Sequence, residues 1–165
     1  MTADKAPPAG WTGGSRVKQG LANARALTWR QWRLLAEASL LLAAAAAAIA
    51  FLPFARIGRL AGGRARRTVA RTPEVGELRE LRWAIEAMAR RVPFRSKCFE
   101  CGLTAQWMLR RRGFAPTLFY GAAMREGGGL EAHVWVRAGG RDVIGCENAA
   151  DFAAVARFPP EPANR

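Results

Sequence analysis

The chain has 165 residues, half of them hydrophobic, which is enough for one compact domain with a true core plus an accessory segment. Three cysteines, an odd number, and no n-region, h-region and cleavage site at the start argue against a disulfide-stapled secreted scaffold and for free thiols in a reducing cytosol. The net charge of +13, carried mostly by arginine, attracts phosphate, anionic lipid or acidic peptide without choosing among them.

Residues 1–24, rich in Gly, Ala and Pro, read as a flexible tail. From Leu27 to Leu60 the pattern is strongly helical, anchored by Trp29 and Trp32 and ending near Pro53 or Gly58. Its middle, Ala38 to Phe54, is nearly all apolar but sits at the lower edge of what spans a bilayer; the alanine content favours a buried or surface-lying helix. Gly62 to Pro73 is a Gly/Arg-rich connection. Glu74 to Arg91 carries Leu78, Leu81, Ile85 and Met88 at helical spacing, and Pro93 ends the run.

Cys98 to Arg112 is a further helix, with Phe99, Leu103, Trp107 or Met108 facing inward, arginines in the last turn and Gly113 just past the end. Thr117–Ala122 and Leu130–Arg137 read as strands. Gly139-Gly140 is a two-residue turn, Asp142–Cys146 a return strand, and the Pro-rich end after Phe158 is extended. Helices followed by an antiparallel sheet make an α+β pattern.

Two residues carry the chemistry. Cys98 opens a helix, where unpaired N–H groups and the dipole favour negative charge on sulfur, and Arg95 and Lys97 add positive charge. His133 is the only imidazole in the chain and opens the alternating stretch His133-Val134-Trp135-Val136-Arg137. A thiol and an imidazole supply the nucleophile and base of a thiol hydrolase. Each also has a plainer reading, a small core residue for Cys98 and a satisfied strand histidine for His133.

No orienter for the imidazole follows from the register. With Gly139-Gly140 as the turn, Asp142 lies opposite Arg137, roughly 13–14 Å from His133, while His133 falls opposite Cys146. Glu147 comes close in register but points to the other face unless the strand bulges. Cys98, Cys101, His133 and Cys146 are a competing zinc set, although the His-x₁₂-Cys half matches no usual knuckle. Cys98-x-x-Cys101 as a redox pair lacks the β-α context such pairs have. The basic clusters at Arg64–Arg71 and Arg110–Arg112 come with no reading element, so no specific nucleic-acid partner is expected.

Taken together, Pro93-Phe94-Arg95, Lys97-Cys98-Phe99, the run Ala105–Gly113, Tyr120-Gly121, Leu130–Val136 and Val143–Cys146 resemble the standalone leader peptidases of lasso-peptide biosynthesis, the B-type proteins. The helical region Trp29–Arg59, with Leu52-Pro53-Phe54, is similar too. The resemblance implies a transglutaminase-like (papain-like) core, with a catalytic cysteine at a helix N-terminus packed on an antiparallel sheet. It divides the chain into a tail (1–24), an N-terminal helical region (25–91) and a cysteine peptidase core (92–160).

By position, Cys98 would be the nucleophile and His133 the base, with no cofactor and no metal. Many relatives carry an Asp twelve residues beyond the histidine, where this chain has Gly145. The implied partners are a precursor peptide whose leader is removed, a separate leader-recognition protein and an ATP-dependent lasso cyclase. The implied setting is the cytoplasm, with room for peripheral membrane contact. Two other classes compete: a non-catalytic transglutaminase-like scaffold of a maturation complex, and a basic membrane- or nucleic-acid-binding protein.

Overall fold

A computed structural model describes residues 27–62, 71–93, 98–125 and 127–160. The tail before residue 27, the basic connection at 63–70, and Arg95 and Lys97 lie outside the described residues. Helix α1 (Trp29–Phe51) starts with a capping box: the Gln31 backbone N–H donates to the Thr28 hydroxyl, and the Gln31 side chain accepts from the Thr28 N–H. Leu52, the residue before proline, adopts extended geometry and ends the helix. Pro53 then starts a second helix, α2 (Phe54–Gly62), because the carbonyl of a proline can still accept the first helical bonds, here from Arg56 and Ile57. The single helix expected from the sequence is therefore two.

Helix α1 buries one stripe, Leu34, Ala38, Leu42 and Ala45, and leaves Trp29, Leu40 and Phe51 exposed. It is long and apolar enough to cross a membrane, with a mean hydropathy of 2.1. Helix α3 (Val75–Ala89) turns Leu78, Leu81 and Ile85 inward, as its spacing requires. Helix α4 (Cys98–Arg111) is buried over most of its surface, at Glu100, from Gly102 to Gln106, and again at Met108 and Leu109. Its end is a Schellman motif: Phe114 N–H donates to Leu109 O and Gly113 N–H to Arg110 O, with Gly113 at φ 80°.

The three arginines there do more than offset the helix dipole. Arg112 grips both carboxylate oxygens of Glu37 on α1, at 3.2 and 2.6 Å, and Arg111 reaches the same carboxylate at 3.2 Å. Arg110 donates to the Leu60 and Ala61 carbonyls that close α2. The end of α4 is thus tied to both N-terminal helices.

The sheet has the order β3-β2-β1-β4, all antiparallel, built from β1 (Pro116–Met124), β2 (Leu130–Ala138), β3 (Arg141–Ile144) and β4 (Ala153–Phe158). Strand β4 has no counterpart in the sequence reading; its Ala-rich stretch lacks alternation and it stays largely exposed at the edge. One hydrophobic cluster joins all of this, running from Leu34 and Leu81 through Leu103 and Met108 to Leu118 and Val136. Helix α4 lies between the sheet and the pair α1 and α3, and it meets β2 at Gly102. A Cβ built on Gly102 would stand 2.6 Å from the Val134 methyl.

Gly102→Ala forces Val134 aside in a fully packed layer, which outweighs the helix propensity gained. We expect a net loss of about 1–3 kcal/mol in urea unfolding. The loss shrinks when the same change is made on a Val134→Ala background, since the two residues are in direct contact.

Candidate active site

Cys98 is the first residue of α4, half-buried and unpaired with any other cysteine. It lies four residues before Gly102, so it shares the sheet-facing side of the helix, about 6 Å further along the axis. Cys101, on the next part of the turn, is a different kind of thiol. Burial, followed by the neighbouring Glu100 charge, pushes its pKa up to about 11. Cys146 is raised as well, by burial first, and its S–H points at the Val136 and Ile144 carbonyls, 3.4 and 3.6 Å away. Both stay protonated thiols at neutral pH.

His133 sits on β2, paired across the sheet with Gly121. Strand alternation decides which way its ring faces. Val134 and Val136 form the side that packs on α4, whereas His133 and Trp135 point to the other side. There Trp135 stacks on Phe119 at 5.4 Å, and the imidazole lies 5.0 Å from Phe152 and 6.1 Å from Trp135. Its Nε2 is 2.7 Å from the carbonyl oxygen of Gly145. The backbone of β2 thus brings His133 next to the residue that α4 touches, while the ring itself bonds to Gly145 and not to Cys98.

The register explains why Gly145 is there. Ala138 pairs with Arg141 and Arg137 with Asp142, as the turn predicts, but a bulge follows and Ile144 takes Val136. The expected pairing of His133 with Cys146 is therefore not formed, because the bulge adds a residue and β3 stops at Ile144. Asp142 is held by Arg137 at 2.8 Å, far from the imidazole as expected. The strand does bulge, the condition under which Glu147 would turn toward His133, yet that carboxylate is drawn off to an ion pair with Arg82 on α3.

The four residues of the zinc alternative are spread over α4, the far side of β2 and the β3 exit. Among the described residues no three His, Cys, Asp or Glu side chains gather as a metal set. What sequence reasoning missed is the aromatic bed of Phe119, Trp135 and Phe152, and the Gly145 carbonyl. The spacing His133-x-Trp135 could have suggested the first; a main-chain acceptor leaves no sequence signal.

The Cys101 thiol is pushed from an ordinary 9.0 to about 11, so the folded chain holds its proton after the unfolded chain has lost it. That contribution is complete below pH 9 and vanishes as pH rises toward 11, on the order of 2 kcal/mol. Cys101→Ala should flatten the fall, as read from urea midpoints measured between pH 8 and 11.

Neither the curated proteins nor the solved structures give a significant match. Residues 39–157, from the middle of α1 to the penultimate residue of β4, match the family described as the transglutaminase-like superfamily. That range takes in Cys98, His133, Gly145, the second half of α1 and all of α2 and α3. With an α+β core of four helices and a four-stranded antiparallel sheet, the chain belongs to the transglutaminase-like superfamily, which includes cysteine peptidases.

Proposed function

We propose that this protein is a cysteine peptidase that cuts the leader from a ribosomally made precursor during lasso-peptide maturation. The observation that supports it most is the position of Cys98. It opens the central helix, on the side that meets β2 beside His133, within the range matched to a superfamily that includes cysteine peptidases. In this reading the Cys98 thiolate attacks the scissile carbonyl carbon. Helix N–H groups stabilise the oxyanion, and His133 protonates the departing amine as the C–N bond breaks. Water, giving its proton to His133, then hydrolyses the thioester and restores the thiol.

The partners in this reading are the precursor's leader, a separate leader-recognition protein, and an ATP-dependent cyclase that joins the freed amine to a side-chain carboxylate. The work takes place in the cytoplasm, with α1 offering contact to a membrane surface. A second reading, a transglutaminase-like scaffold without catalysis, is favoured by one observation: the imidazole bonds to Gly145 on the sheet side away from α4.

Mass spectrometry of a precursor peptide, incubated with this protein and the leader-recognition protein, separates the two. The peptidase reading expects one cut at the leader–core junction, abolished in Cys98→Ala and in His133→Ala. An intact precursor with the leader-recognition protein shown to be loaded selects the scaffold.

A further inference from the structure

We propose that the main-chain carbonyl of Gly145 is the positioning group of His133, holding the neutral ring in the Nε2–H tautomer and leaving Nδ1 as the proton acceptor. The inference rests on His133 being the base of the proposed peptidase, but its structural half stands by itself. A carbonyl oxygen only accepts hydrogen bonds, so at 2.7 Å the ring nitrogen facing it carries the proton. A neutral imidazole has one such proton, and the lone pair then lies on Nδ1.

Among the described residues, Glu131 pairs with Arg125, Asp142 with Arg137, and Glu147 with Arg82. The ring is also flanked by Phe152 and Trp135, which limit its rotation and leave the contact to Gly145 as its polar anchor.

The glycine is required at this point. Its φ is +70°, and a Cβ there would stand 2.5 Å from the Val134 carbonyl oxygen. A carboxylate side chain at position 145 would therefore push the segment off β2, whereas a glycine lets the backbone itself come close enough to bond. The bulge between the Arg137–Asp142 and Val136–Ile144 pairs delivers Gly145 to this place.

Because His133 is the only histidine, ¹⁵N-labelled whole protein gives one imidazole in the NMR spectrum. In its neutral form the proposal expects a pyrrole-like Nε2 and a pyridine-like Nδ1. An Nδ1–H ring, or an averaged mixture of tautomers, overturns it. In Gly145→Ala the carbonyl is displaced, so the tautomers should mix and kcat for leader cleavage should fall about tenfold with KM unchanged, as for one lost hydrogen bond. A variant that keeps the wild-type tautomer and rate overturns the proposal. If wild type shows no cleavage at all, the peptidase reading fails, while the spectrum still decides the tautomer.

Discussion

The approach of α4 to β2 at Gly102 is the constraint on which the rest depends. A helix with a side chain there would stand further from the sheet, and the layer of Leu103, Leu118, Val134 and Met108 would lose the contacts that bury each of them to 2% exposure or less. Because α4 is covered on the sheet side and again by α1 and α3, it has almost no free surface. Its open points include the half-exposed Cys98 in the first turn and Arg111 in the last. Burial also suppresses the charge of the Cys101 thiol, one residue triplet on.

The far end of α4 is held by charge where the near end is held by packing. The Glu37 carboxylate, mostly shielded, receives two arginines, and Arg112 also donates to the Met108 carbonyl at 2.7 Å. Such shared, partly buried pairs resist loss better than isolated surface ones, because each side chain is already ordered by another contact. They also join the N-terminal helices to the later block, alongside the shared core.

Much of this was legible in the residues. The helical spacing of Leu78, Leu81 and Ile85, Gly113 past the arginines, and Gly139-Gly140 between two alternating runs gave α3, α4 and the β2–β3 hairpin, since local chemistry dictates each of them. Strand β4 escaped because Ala153–Phe158 owes its form to pairing with β1, 31 to 40 residues away in the chain, and not to its own pattern. The break at Pro53 was visible, but its role as the start of α2 was not. At the site, Cys98 and His133 stood out as residue types. The bulge that moves Gly145 to the imidazole is a property of two strands together, so no reading of one strand could place it.

That bulge has a second consequence, for solubility. Strand β3 is an outer edge of the sheet, and unpaired edges invite other chains to add on. Here the edge is four residues long, begins with Arg141 and Asp142, and is bent by the extra residue before it can present a flat row of donors and acceptors. The irregularity that carries Gly145 to the imidazole also blunts this flank against strand addition. A variant evened out into a longer, regular strand would therefore offer a template for strand addition.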